Sequence, residues 1–144
     1  MIVDTIEDAQ TVIGYVRATG QTLAGLQGLT KDELINGVRN GRAIVVVRAP
    51  DGFLLAILRP LNRAGFSGSW CVRWMSGAAQ STLRALALEL AQELIRRGQG
   101  DVPVHWTQNG TIARFAATRL NARTITYEGV PLYWFTANEA VALL

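Results

Sequence analysis

Trp70-Cys-Val-Arg-Trp-Met75-Ser-Gly-Ala-Ala79-Gln-Ser81 changes period halfway, and that change decides the fold. Trp70–Met75 is rich in aromatic and β-branched residues, too short for a helix and suited to a strand. From Ala78 the apolar residues recur at helical spacing. Leu83, Leu86, Ala87, Leu90, Ala91, Leu94 and Ile95 form one stripe, while Arg84, Glu89, Gln92, Glu93, Arg96 and Arg97 fall off it. Gly98 stops the helix, and Val102-Pro-Val-His-Trp-Thr107 reads as the next strand. A strand, a long helix and a second strand make a crossover unit, so the two strands run parallel.

Upstream, Ala43-Ile-Val-Val-Val47 and Phe53-Leu-Leu-Ala-Ile-Leu58 flank the turn Pro50-Asp-Gly52 and read as an antiparallel hairpin near the sheet centre. Pro60–Ser69 is a polar, glycine-bearing loop. Two helices precede the hairpin. Thr5, with Asp8 behind it, opens a first helix carrying Ile6, Ala9, Val12, Ile13 and Val16. Thr30-Lys-Asp-Glu33 is a capping box, with Leu29 and Leu34 as its hydrophobic staple, for a second helix that ends near Asn40-Gly41. Downstream, Asn109 is a candidate N-cap for a helix carrying Ile112, Phe115, Ala116 and Leu120 and stopping at Asn121. Strands Arg123–Glu128 and Pro131–Thr136 turn at Glu128-Gly129, and a short helix follows Ala137. The order ααββ, βαβα, ββ implies a single α/β (α+β) domain over residues 1–144. Its sheet is mixed and largely antiparallel, with a parallel β-α-β centre flanked by helices. A ligand belongs beyond the carboxyl ends of Trp70–Met75 and Val102–Thr107, where strand ends part.

Composition narrows the function classes. Among 144 residues nearly half are hydrophobic and 17% are charged, as in a globular chain. No apolar run approaches the roughly 18 residues that span a bilayer, and Met1-Ile-Val-Asp4 lacks the pattern of a signal peptide. An intracellular, cytoplasmic protein is the expectation. One cysteine, Cys71, and one histidine, His105, exclude an internal disulfide and argue against a structural zinc site. No phosphate-binding Gly-x-x-x-x-Gly-Lys motif occurs, and the one lysine, Lys31, lies in the acidic N-terminal part. The net charge of +3 is uneven: residues 1–41 carry −2, residues 42–123 carry +7 and residues 124–144 carry −2. A basic middle suits an anionic ligand; thirteen arginines against one lysine fit a GC-rich genome equally well.

The small residues at Ser76-Gly-Ala-Ala79 allow backbone N–H groups at a helix N-terminus to approach an anion, although many helices begin with small residues for packing alone. With the order of elements, this junction resembles the GNAT acetyltransferase superfamily along the whole chain. The family's diphosphate loop reads Gln/Arg-x-x-Gly-x-Gly/Ala; Gly77 and Ala79 match it, and Trp74 stands in the Gln/Arg position. Asn109 falls where the family places an asparagine facing the pantetheine arm, and Ala113 and Leu120 keep the spacing of its next helix. The resemblance implies acetyl-CoA or CoA as cofactor, held by Trp74, Met75, Ser76, Gly77, Ala78, Ala79, Gln80 and Asn109. It implies acetyl transfer to a small-molecule or protein amine deprotonated through water, with the Trp74 strand polarising the thioester.

Three departures speak against catalysis. Ala117 stands where the family holds a general-acid tyrosine facing the sulfur, Asn121-Ala122 replaces Gly-Phe, and Trp70–Met75 carries no carboxylate. In Trp70-Cys-Val before the Met75-Ser-Gly junction, in Trp106 followed by Asn109, and in Ile112-Ala-Arg-Phe115, the sequence is also similar to small phage-encoded members of the superfamily, of the kind linked to internal virion assembly in podophages. The alternative is therefore a non-catalytic virion, assembly or interaction protein with protein partners, or a homo-oligomer, in host cytoplasm or virion. Nucleic acid ranks last and no membrane role is expected. His105 reads first as a hydrogen-bonded core histidine, Cys71 as a small buried hydrophobe. Trp70 and Trp74, at an interval of four in one strand, are expected on one face. With Trp106 and Trp134 they read as core or as the lining of an acceptor groove. Arg63, Arg114 and Arg119 are candidates for the CoA 3′-phosphate.

Overall fold

A computed structural model describes residues 1–4, 10, 11, 13, 14, 30–48 and 51–144. Its elements are β1 (Ile2–Val3), α1 (Lys31–Arg39), β2 (Ala43–Arg48), β3 (Gly52–Leu58), β4 (Trp70–Ser76), α2 (Gln80–Arg96), β5 (Pro103–Thr107), α3 (Thr111–Arg119), β6 (Arg123–Tyr127), β7 (Val130–Thr136) and α4 (Ala137–Leu143). Most of the helix expected from Thr5 lies outside the described residues, as do Leu29 and Pro50.

Local signals fix the helix ends. Glu33 N–H donates to Thr30 Oγ1 at 3.1 Å and Thr30 N–H to Glu33 Oε2 at 3.4 Å, which completes the capping box. Such a cap is worth about 1 kcal/mol. Helices α1, α2 and α3 stop alike, at a residue of positive φ: Gly41 (72°), Gly98 (74°) and Asn121 (51°). The N–H of the next residue then reaches back five positions, Arg42 to Gly37 O, Gln99 to Leu94 O and Ala122 to Ala117 O, at 2.8–2.9 Å. Asn121 thus does the backbone work that glycine does at the other two stops.

The strands form one sheet in the order β1-β2-β3-β4-β5-β7-β6. Every neighbouring pair is antiparallel except β4 and β5, which the α2 crossover makes parallel. The mixed α/β architecture read from the sequence is the one observed. On one face, α2, α3 and α4 cover a core that includes Ile44, Val46, Leu54, Trp70, Val104 and Phe135. The opposite face carries two separate clusters. Leu34 of α1 packs on Val45, Phe53 and Leu55, and the 59–69 loop folds Leu61 and Phe66 onto Leu132.

Two details of α2 differ from the sequence pattern. Ile95 is 37% exposed, at the edge of the stripe, whereas Glu93 is buried. Arg96 and Arg97 donate to the Glu93 carboxylate, which replaces the water it loses.

Candidate functional site

Strands β4 and β5 pair at only two positions, Trp70 with Val104 and Cys71 with His105. Beyond them β4 runs on to Ser76 and β5 to Thr107 without further pairing between the two. The cause lies in β4. Trp74 stands opposite Leu55 and Val72 opposite Ala56, so Arg73 is an extra residue, a bulge that bends the strand. The bulge also corrects the expectation that Trp70 and Trp74 share a face. Trp70 packs in the core under α2, while Trp74 packs with Phe53 and Leu55 on the opposite side. Met75 returns to the Trp70 side, because an extra residue inverts the alternation of every side chain after it.

A cavity of about 390 Å³ fills the gap, within the size range of small-ligand pockets. Its walls come from both faces of the sheet. Leu90 of α2 and Ile112, Ala113 and Ala116 of α3 line one end. Arg59, Cys71, His105, Tyr127 and Glu128 line the other. The edge of β4 after Cys71, unpaired with β5, runs along it and offers backbone groups to an extended amide.

Trp74, Met75 and Asn109 line this cavity; Ser76, Gly77, Ala78, Ala79 and Gln80 do not, and instead run outward from it to the start of α2. Asn109 is exposed at the cavity and is not the N-cap of α3. Gly110 holds that position, at a φ of 85° that favours glycine. Trp106 fastens the junction from below, its Nε1–H donating to Ala113 O at 3.2 Å.

At the start of α2 the N-cap is Ala79, with no side-chain cap, so the N–H groups of Gln80 and Ser81 have no partner within the helix. A Cβ on Gly77 would come within 3.1 Å of Thr82 Cγ2 and 3.3 Å of Leu83 Cδ2, so glycine lets β4 meet the helix closely. The Ala78 N–H is already engaged. It donates to Asp51 Oδ2 at 2.7 Å, from the turn between β2 and β3. Nothing in the Pro50-Asp-Gly52 turn signal indicated this contact, which closes over 27 residues of chain. The α2 start thus carries two N–H groups without helical partners beside a resident carboxylate.

From α3 the cavity receives Ile112, Ala113, Ala116 and Leu120, a helical stripe that excludes Ala117. Ala117 is buried in the core one position round the helix. Ala116, not Ala117, is therefore the α3 alanine that faces the cavity at this level. At the other end Glu128 adopts φ 49° and Gly129 φ 78°, both positive, in the two-residue turn that joins Tyr127 to Val130. A left-handed glutamate is strained, and strain of this kind gathers at functional sites.

Burial also sets the charge states. His105 sits between β4 and β7, with its ring Nε2 3.3 Å from the carbonyl oxygen of Arg59, the residue that follows β3. Desolvation, more than the nearby Arg59 charge, moves its pKa below the ordinary 6.5. Burial pushes the Cys71 thiol up, so it stays protonated at neutral pH. The carboxyls of Glu93 and Glu139 are held down, chiefly by hydrogen bonds from Arg96 and Arg123. The consequence for stability has a definite sign. An unfolded His105 takes up a proton at about 6.5 while the folded one refuses it, so its share of stability is full above that pH. That share is lost as the pH falls through the lower folded value. Glu93 and Glu139 contribute above the ordinary 4.5 and lose their share below it. Thermal melts are thus expected to show two separate acid phases, with only the upper one absent from His105→Phe; a single phase near 4 in the parent chain would contradict it.

Of the arginines that make the middle segment basic, Arg59 and Arg73 line the cavity. Arg63 and Arg119 lie over the rings of Phe66 and Phe115, at 5.8 and 5.5 Å. Arg63, Arg114 and Arg119 do not line the cavity. Among the described residues no cluster of His, Cys, Asp and Glu could hold a metal ion, and no helix is long and apolar enough to cross a membrane. Compared with known proteins, the chain matches no protein-family model and no curated sequence.

Proposed function

We propose that this protein binds an acyl-CoA between β4 and β5 and transfers the acyl group to an amine that enters from the opposite face of the sheet. The observation that carries this reading is the parting of the one parallel strand pair after Cys71 and His105, around a cavity walled from both faces. A thioester arm reaching in beside α3 meets the free edge of β4. The amine approaches past Tyr127 and Glu128. Gln80 and Ser81 N–H groups hold the diphosphate with the help of the α2 dipole. Trp74 and Met75 supply the strand edge, and Asn109 sits at the cavity end of β5. When bound, acyl-CoA supplies an activated carbonyl; the chain's share is to orient it and to exclude water.

A second reading draws on the Asp51 contact and on the absence of a carboxylate from β4 and of a phenol from α3. In it the protein keeps the fold and the cavity for interaction within an assembly, without turnover. Calorimetry with CoA and acetyl-CoA separates the two. Saturable binding with thiol release in the presence of an amine supports the enzyme, binding without release supports the interaction protein, and no binding at millimolar ligand removes the cofactor from both.

Asp51 gives this test a sharper form. Its carboxylate occupies the Ala78 N–H and repels a diphosphate at the same helix end. Asp51→Asn is expected to tighten CoA binding about fivefold, the scale of one charge near a helix N-terminus. It should also weaken the fold by up to about 1 kcal/mol, as a charged acceptor for the Ala78 N–H becomes a neutral one. Looser binding in Asp51→Asn would place the diphosphate elsewhere.

A further inference from the structure

The turn between β6 and β7 is opened by a residue that does not suit it. Two-residue hairpin turns with both φ positive favour Asn, Asp or Gly, yet Glu128 holds a φ of 49° there. Among the cavity's lining residues Glu128 is the one that carries a carboxylate, and it is exposed, so a ligand can reach it. Asp51, Glu89, Glu93, Asp101 and Glu139 each hold a hydrogen-bond donor; Glu128 holds none among the described residues.

An opposite charge stands at the same end of the cavity. Arg59 lines it and is exposed as well. The two walls are fastened together, because Asn62, in the loop after Arg59, donates its N–H to the hydroxyl of Tyr127, the neighbour of Glu128, at 2.9 Å. Burial dominates the pKa of Cys71 and of His105, but the Arg59 charge also lowers both, beside Arg73 at Cys71. The guanidinium is therefore held near the wall that those two residues form. Even so, Arg59 and Glu128 form no salt bridge with each other or with a third described residue.

We propose that this end of the cavity binds an α-amino acid with an apolar side chain, its ammonium on Glu128 and its carboxylate on Arg59. The amino acid's role as acyl acceptor rests on the acyl-CoA reading above; its binding does not. A plain amine suits the site less well. With His105 neutral, Arg59 and Arg73 outweigh Glu128 and make the wall net positive, which repels a lone cation but accepts a zwitterion that brings its own anion. A guanidinium meets a carboxylate through two parallel N–H bonds, and a carboxylate accepts from an ammonium, so each end of the zwitterion has a matching group. Leu61, Val130 and Leu132 bring apolar surface from the same loop and hairpin, and Val130 is 46% exposed.

Calorimetry with leucine, isopentylamine and 4-methylpentanoate, on the free and the CoA-loaded protein, reads each charge separately. Leucine is expected to bind about 10–100-fold more tightly than either single-charge relative. Glu128→Gln and Arg59→Gln should each weaken leucine by a factor of the same order. Glu128→Asn separates strain from binding. Asparagine suits a left-handed turn, so the melting temperature should rise by about 2–4 °C while leucine affinity falls. Isopentylamine bound as tightly as leucine, leucine affinity kept in Glu128→Gln or Arg59→Gln, or no leucine binding to either form of the protein overturns the proposal. Leucine bound by a protein that refuses CoA would uphold the site and overturn the acyl-CoA reading instead.

Discussion

Deleting Arg73 is expected to leave a folded protein that, on the acyl-CoA reading proposed above, has lost CoA binding roughly a hundredfold, the equivalent of about 3 kcal/mol. The argument runs through alternation. Arg73 is the extra residue that lets Trp74 oppose Leu55 while Val72 opposes Ala56. Without it, Trp70, Val72 and Met75 still face α2, and Cys71 and Trp74 still face away, in an ordinary period of two. The core pattern survives the deletion intact. What goes is the bend, together with the Arg73 side chain in the cavity wall, so β4 follows β5 beyond Cys71 and the strands close the gap that the cavity occupies. Calorimetry with CoA and a thermal melt, taken together, decide the matter. Parent-like affinity in the deleted form would mean that the parting of the strands is enforced by α2 and α3 instead.

The largest effect on stability is expected at Trp70. It is 1% exposed and among the largest fully buried side chains, with the Arg97 guanidinium 6.0 Å from its ring centre. Trp70→Ala should cost about 3–5 kcal/mol, from lost burial and the void left behind, against a total of roughly 5–15 kcal/mol for a domain. Trp70→Phe should cost far less than its change in volume suggests. The indole Nε1–H is buried without a partner among the described residues, and phenylalanine removes that uncompensated donor along with part of the ring. Chemical denaturation of both variants measures the difference. Equal losses would indicate that the indole nitrogen is satisfied in solution.

The sequence made most of the fold legible, because the signals were local. The Thr30–Glu33 box, the stripe from Leu83 to Leu94, the left-handed stops and the Glu128-Gly129 turn are each written within a few residues. The crossover rule then turned one strand–helix–strand segment into the parallel pair at the sheet centre. The site was less legible, because its defining features lie between segments. The bulge at Arg73 exists only relative to β3; within Trp70–Met75 nothing departs from strand composition, so alternation alone puts Trp74 on the Trp70 face. Which side of α3 meets the cavity depends on how the helix sits against β5, where Trp106 reaches Ala113. Asp51 was visible only as a turn former, and His105 only as a lone histidine. Its meaning comes from an Arg59 carbonyl 46 positions earlier in the chain.

The two-position seam between β4 and β5 also bears on how the molecule breathes. Long antiparallel ladders lace β1–β4 on one side and β5–β7–β6 on the other. Across the middle, only the pairs at Trp70 and Cys71 stitch the backbone, with α2 bridging above. Thermal opening concentrates where the fewest bonds must break together, so this line is expected to loosen before either of the two ladder units, even though one apolar core runs under both. Amide hydrogens of residues 72–75 on the β5 side then exchange with solvent faster than those deep in either ladder. A ligand laid along that edge becomes a missing strand, joining the two units into one and slowing the exchange of both.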